Sequence, residues 1–311
     1  ALTGSVMANR RRGRHIVTTC FEHPSVHQPL LYLEDYGFEV SYLPVDPEGH
    51  ISCETLREAL REDTILVSVM LVNNEVGAVL DVPALAETVR EYNDQILFHV
   101  DAIQAYGKLR LQPRRMGVDL MSVSGHKIHG PKGTGFLYIG DRVKLHACMH
   151  GGGQQRGRRS GTENVPGIAG LGLAAEKMCG ELDVHRDHFF RLKKHFLERI
   201  PEVDGAVVNA CKTDSLDGTA PHIISVGFAR VRSEVLLHAL EEQEIYVSSG
   251  SACSSHHPGI SGTLKAIGVP DALLDSTLRF SFSIFTEQEE IDFTIDCLKR
   301  LVPMLARYQR G

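Results

Sequence analysis

Lys127 ends the short segment "SGHK", just behind Ser124 and His126. Asp101 and Gln104 stand upstream in "HVDAIQ", His23 opens "HPSV", and Asn74 lies in "VNNEVG". A lysine amine forms a Schiff base with an aldehyde cofactor. A carboxylate keeps a pyridinium nitrogen protonated and so turns the ring into an electron sink, while an imidazole covers a ring face. Asn74 or Gln104 can hydrogen-bond a ring hydroxyl, and Ser124 with His126 offers donors to a phosphate. Singly, each has a plainer reading: His23 before a proline is a cap or packing residue, Asp101 a turn residue, Lys127 a loop lysine. Together they make the set that pyridoxal phosphate needs.

A second chemical feature is "SSGSACSSHHPG", which places Cys253 among serines with His256 and His257 three and four residues on. Half of a metal site, a structural thiol and a nucleophile on a loop all fit that pattern. Adjacent histidines in an extended loop point apart, and no further ligand is spaced nearby, so no metal site is expected. The other cysteines, Cys20, Cys53, Cys148, Cys179, Cys211 and Cys297, read as structural thiols.

The elements that must position these groups are legible in outline. Apolar, β-branched runs at 15–20, 38–45, 65–72, 96–102, 119–124 and 134–139 predict strands. Their nearly unbroken apolar character predicts burial on both faces, as in a parallel sheet covered by helices, with the last strand making the sheet mixed. Ser52 and the Asp81–Pro83 pattern mark helix starts between them. His23, Asn74, Asp101 with Gln104, and Lys127 then follow the first, third, fourth and fifth strands, at the carboxyl ends where open α/β sheets bind ligands. Asp101 and Lys127 are separated by one strand–helix–strand passage on this reading. Beyond 166 the texture changes to a long helical region at 167–200, strands at 206–210, 223–228, 245–248 and 278–283, and helices at 232–242, 260–268 and 286–306. The chain thus divides into a large α/β domain at 1–166 and a smaller α+β domain at 167–311 that carries the cysteine segment.

Composition narrows the class. With 311 residues, 42% hydrophobic and a net charge of -6, the chain gives no electrostatic case for nucleic acid, and the short basic run at 9–14 reads as a solvated face. Seven scattered cysteines without a C-x-x-C pair argue against a disulfide framework and for a reducing, cytoplasmic setting. No apolar run approaches the ~20 residues of a membrane span.

"FEHPSV", "VNNEVG", "HVDAIQAYGK", "MSVSGHKIHGPKGTGFLYI", "HGGGQQRGRRSGTENVPGIAGLG", "SSGSACSS" and "LRFSFS" together closely resemble the cysteine desulfurases of the NifS/IscS type. The likeness runs over nearly the whole chain. It implies a pyridoxal-phosphate-dependent fold-type-I enzyme with a mostly parallel, seven-stranded large sheet. It also implies roles: Lys127 as the Schiff-base lysine, His23 stacked on the ring and Asp101 on the pyridinium nitrogen. Asn74 and Gln104 would meet the ring hydroxyl side, with Asn74 also near the substrate, and Ser124 and His126 would hold the phosphate. Thr162 would reach the phosphate of a neighbouring subunit in a homodimer. Arg279 would clamp the carboxylate of L-cysteine, and Cys253 would take its sulfur as a persulfide, with transient ligation of a cluster iron as its only metal role. The products would be L-alanine and sulfur for an acceptor or scaffold protein in iron–sulfur cluster assembly or another sulfur pathway.

The chain departs from that pattern in three places. Relatives carry a phosphate-binding turn before the residues matching Ala1 and Leu2, so an N-terminally truncated polypeptide is expected. "SFSIFT" stands where relatives place a second arginine, and "SSHHPG" replaces a Thr-Ser-rich continuation. Selenocysteine lyase, and a truncated partner protein without catalysis, are the alternative readings.

Overall fold

Helix α1 (Leu2–Asn9) leads into strand β1 (His15–Thr19), and every residue of β1 is buried. Helix α2 (Pro24–Asp35) and the edge strand β2 (Glu39–Leu43) follow. Next come α3 (Cys53–Ala59), β3 (Thr64–Met70), α4 (Val82–Tyr92), β4 (Leu97–Asp101), β5 (Leu120–Ser124) and β6 (Gly135–Ile139). The computed structural model describes residues 1–211, 216, 218–249 and 260–307; Cys253, His256 and His257 lie outside them.

The strands form one sheet in the order β2-β1-β3-β4-β5-β6. All neighbours are parallel except β5 and β6, which run antiparallel. β3 and β4, like β1, are wholly buried, which is why their sequences are apolar runs without alternation. The few polar side chains inside are paired across strands. His15 bonds Thr64 Oγ1 (2.7 Å) and Ser41 Oγ (2.8 Å), and His99 bonds Ser68 Oγ (2.8 Å) and Ser122 Oγ (2.9 Å). Burial lowers the His99 pKa to about 3, so the ring is neutral and each nitrogen is satisfied by a hydroxyl. At the opposite end of the sheet, Asp119 accepts from Phe98 N (2.8 Å), Arg90 Nη2 (2.6 Å) and Arg142 Nε (2.6 Å). Ser52 and Asp81 cap α3 and α4 by accepting from Thr55 N and Ala84 N, as their spacing predicts.

Helix α5 (Val165–Gly180) stays with this sheet, and the first compact unit takes in residues 1–44, 51–72 and 80–182. It therefore reaches past the 166/167 boundary expected from sequence, because the buried Leu171 and Met178 of α5 pack beside Gly125, in the turn that holds Lys127, and beside Gly107. The helical stretch at 167–200 is also not continuous. It breaks at Glu181 after Gly180, and α6 (Leu182–Arg199) starts anew.

The second unit takes in 45–50, 73–79 and the chain from 183. Strands β7 (Ala206–Asn209) and β8 (Ile223–Phe228), helix α7 (Ser233–Glu241) and the two-residue strand β9 (Ser248–Ser249) come first. Helices α8 (Gly262–Ala266) and α9 (Asp271–Leu274), strand β10 (Thr277–Ser281) and helix α10 (Gln288–Ala306) complete it. Its antiparallel sheet has the order β7-β8-β10-β9. Phe196, Phe228, Phe280, Ile295 and Leu298 anchor its core. The 73–79 turn is stitched to it by Val79 N to Gly218 O and Ala220 N to Gly77 O. Gly77 adopts φ +75, and a Cβ there would stand 3.1 Å from Ile223 Cβ, so glycine is required.

Three expectations need correction. Among the described residues the large sheet has the six strands read from the apolar runs, where the family resemblance implied seven. The connection from β4 to β5 contains no helix; 103–108 is a run of tight turns closed by Gly107 in the left-handed region. Of the strand expected at 245–248, only Ser248 lies in the two-residue strand Ser248–Ser249, since the turn after α7, with Glu244 at φ 60, delays the extended chain.

Candidate active site

Because β1, β3, β4 and β5 are parallel neighbours, their carboxyl ends share one edge of the sheet. His23 follows β1 as the N-cap of α2. Its Nδ1 accepts from Ser25 N (3.1 Å), which leaves the proton of the neutral ring on Nε2. Burial, then the charges of Lys127 and His126, lower its pKa, so the neutral imidazole prevails near neutrality. Asp101 ends β4 opposite Met70 of β3 and Ser122 of β5. It is buried, and Oδ1 accepts from Ile103 N at 2.9 Å. Gln104, also buried, sits in the turn that follows.

Lys127 lies in a 3-10 turn (Gly125–Ile128) directly after β5. The turn is held by Gly125 N to Thr134 O and Gly130 N to Gly125 O, and His129 ends it at φ 63. Ser124 Oγ meets His126 Nδ1 at 2.7 Å, so the two side chains proposed for an anion are already adjacent. Burial and the charges of Lys127, Lys132 and Lys108 depress His126.

Burial raises the pKa of Asp101 from 3.8 to about 6 against the single backbone bond from Ile103. That difference is on the order of 3 kcal/mol of unfavourable ionisation above pH 6, and a cation held against the carboxylate would recover it. Glu22 explains why Asp101 rather than its neighbour holds the charge. Burial, with a smaller contribution from Asp101, raises Glu22 to about 8 despite bonds from Thr19 Oγ1 (2.7 Å) and Met70 N (2.8 Å). At neutral pH Glu22 therefore keeps its proton, and its Oε1 ties the ends of β1 and β3 together.

The second unit carries the remaining groups. Arg279 of β10 donates from Nη1 to Asn74 O (2.7 Å) and from Nη2 to Ser248 Oγ (3.1 Å). A cavity in this unit is lined by Glu75, Ser225, Ser249, Leu264, Thr277 and Arg279. Glu75 accepts from Ser261 Oγ at 2.5 Å, and burial raises its pKa against that bond, a bond from Thr263 and the Arg279 charge. Thr162 is exposed in the irregular stretch before α5.

His23, Asp101, Gln104, Ser124, His126 and Lys127 are thus gathered in the first unit. Asn74 and Arg279 are gathered in the second, and Cys253 lies outside the described residues. Sequence reasoning passed over Glu22, Glu75 and Lys108. Each adjoins a residue or motif that it did single out, "EH", "NNE" and "GK", but a carboxylate or lysine beside a turn carries no sequence mark of burial.

The pattern described as aminotransferase class V matches residues 1–293. The chain is 39% identical over 306 residues to the cysteine desulfurase IscS of Dictyoglomus turgidum, across 98% of this chain and 76% of that one. It is 42% identical over 307 residues to IscS of Vibrio cholerae, across 98% and 74%. Among solved structures, a NifS-like protein superposes with a TM-score of 0.90 at 34% identity, covering 98% of this chain and 79% of the other. DndA from Streptomyces lividans gives 0.76 at 35% identity, with 90% and 78% covered.

Proposed function

The chain belongs to the class-V aminotransferases as a cysteine desulfurase of the NifS/IscS type, and from that premise we propose that Lys127 holds pyridoxal 5'-phosphate and Cys253 receives the sulfur. The carrying observation is Asp101, a buried carboxylate raised to about 6 at the sheet edge that also bears His23 and Lys127. A pyridinium N–H fits that carboxylate, and the Ser124–His126 pair fits a phosphate. When bound, the cofactor draws electrons from the substrate Cα and weakens the bonds around it.

The residues then divide the work. Asp101 holds the ring proton, His23 covers the ring as a neutral imidazole, and Gln104 and Asn74 serve the ring hydroxyl side. The Lys127 amine carries a proton to and from the substrate Cα. Arg279 takes the substrate carboxylate with a planar fork of donors. The net step breaks the Cβ–S bond of L-cysteine and forms an S–S bond at Cys253: cysteine and enzyme thiol give L-alanine and enzyme persulfide. The transferred sulfur is oxidised, the carbon it leaves is reduced, and the thiol proton ends on the β-carbon. An acceptor protein consumes the persulfide. The setting we infer is the reducing cytoplasm, in keeping with the seven scattered cysteines without a C-x-x-C pair. No helix among the described residues is long and apolar enough to cross a membrane.

The reading is tested by adding pyridoxal phosphate, trapping with borohydride and locating the adduct by peptide mass, then following cysteine-dependent alanine release. Capture on Lys127 with alanine release is expected; a chain that captures no cofactor would sink the proposal. Asp101→Asn is expected to retain capture but to lose roughly 100- to 1,000-fold in turnover, the usual effect of removing one preorganised charge partner. In the parent chain, cofactor affinity should fall as the pH drops below about 6, where Asp101 becomes protonated. That dependence should vanish in the asparagine variant, as equilibrium titrations at several pH values would record.

The active form we infer is a homodimer in which Thr162 serves the neighbouring phosphate. Val165, Ile168 and Leu173 of α5 leave 67%, 50% and 56% of their surface exposed, an apolar face that a second copy would cover. Light scattering that returned a monomer mass at working concentration would remove this part.

A further inference from the structure

A second lysine is built into the first unit beside Lys127. Lys108 is 4% exposed, and its Nζ donates to the main-chain oxygen of Lys127 at 2.6 Å. The preceding residue makes this approach possible. Gly107 adopts φ +74, and a Cβ there would lie 3.0 Å from Met178 Cβ and 3.1 Å from Ile128 Cγ2. Helix α5 and the Lys127 turn therefore close on the chain where "GK" passes between them, and the lysine side chain is sealed against the turn.

A buried ammonium is an expensive way to satisfy one carbonyl, since a neutral amide would donate the same bond without the desolvation of a charge. Burial lowers the Lys108 pKa to about 8; the Lys127 charge works in the same direction and Cys179 against it. At neutral pH Lys108 is still mostly protonated. The neighbouring groups sense that charge: burial and Lys108 lower His129, and Lys108 with Lys127 and Lys132 adds to the burial that lowers His126. His23 senses Lys127 as well, and Asp101 and Glu22 supply the carboxyls of the adjoining strand ends. A charge kept at such cost beside a reactive amine has a use for that amine.

We propose that Lys108 is a positioning residue of the lysine site: its ammonium pins the turn that carries Lys127, and its charge favours the neutral amine of Lys127. This rests on the reading of Lys127 as the cofactor lysine. The neutral amine is the form that attacks an aldehyde and accepts a proton, so a fixed positive charge nearby prepares it for both.

The test uses the full chain and three variants, Lys108→Gln, Lys108→Met and Lys108→Arg. Lys127 is titrated in the cofactor-free chain by trace acetic anhydride labelling across pH, with peptide mass spectrometry as the readout and circular dichroism to verify folding. Gln and Met are expected to raise the Lys127 midpoint by about 1 pH unit, and Arg to leave it with the parent. At pH 7 the rate of pyridoxal phosphate capture should fall about tenfold in the Gln variant, following its smaller fraction of free amine. An unmoved midpoint in Gln, or an equal movement in all three, overturns the proposal. If Met fails to fold, Gln and Arg decide, because both keep a donor to the Lys127 carbonyl. Labelling needs no cofactor, so a parent chain that labels normally but captures no pyridoxal phosphate counts against the functional reading instead.

Discussion

Lys127→Ala should abolish cysteine-dependent alanine release, by at least about a thousandfold, while the protein remains folded. The size of the effect follows from the loss of both covalent attachment and proton transfer at the substrate Cα, the latter alone contributing about 10²- to 10⁴-fold in enzymes generally. The fold is spared because the turn keeps the contacts made by its main chain. Gly125 N reaches Thr134 O, Gly130 N reaches Gly125 O, and Lys108 donates to the backbone oxygen of residue 127, which alanine retains. A thermal melt should therefore shift by no more than about 1 kcal/mol equivalent. Asp101, Ser124 and His126 are untouched, so the variant should still bind pyridoxal phosphate noncovalently, without a borohydride-stable adduct at 127. A small primary amine added to the buffer should restore part of the activity. A variant that keeps more than about a tenth of parental turnover would show that another amine serves the site.

How much of this was legible in the sequence depends on what each feature required. The strand ends were legible because β1, β3 and β4 are buried on both faces and so had to be apolar throughout. Once the strands were placed, parallel neighbours brought His23, Asp101 and Lys127 to one edge. Single-residue conformations were harder to read. Glu244 at φ 60 and the break at Glu181 moved element boundaries without any proline to announce them. The spacing of Asp101 and Lys127 suggests a helix between β4 and β5, but the chain there turns tightly, with Gly107 left-handed and packed close to Ile128 and Met178. Burial of titratable groups was the least legible of all. Glu22 and Lys108 look like surface residues in a string of letters, and only the fold places one against Met70 N and the other against Lys127 O.

Cys253→Ala should leave cofactor capture on Lys127 unchanged and eliminate the cysteine-dependent persulfide, with alanine release in a single turnover falling by about 100-fold or more. Sulfur leaving the substrate needs a nucleophile that can form an S–S bond, and only a thiolate side chain does so. Serine should therefore fail as alanine does, since its hydroxyl is not ionised near neutrality. The described residues on either side of the segment are anchored within one unit: Ser248 and Ser249 pair with Arg279 and Leu278, and Ser261 caps α8 while bonding Glu75. Arg279, proposed for the substrate carboxylate, thus also donates to the residue from which the Cys253 segment departs. One described thiol is a physical rival. Cys20 is exposed and follows β1 on the same sheet edge as His23, three residues ahead of it. Cys20→Ala is expected to retain the persulfide on Cys253, as peptide mass spectrometry after cysteine addition would reveal. Persulfide found on Cys20 in the parent, or surviving in Cys253→Ala at parental yield, would transfer the sulfur-accepting role away from Cys253. It would leave the Lys127 reading intact, because the cofactor groups and the acceptor thiol are tested by separate signals.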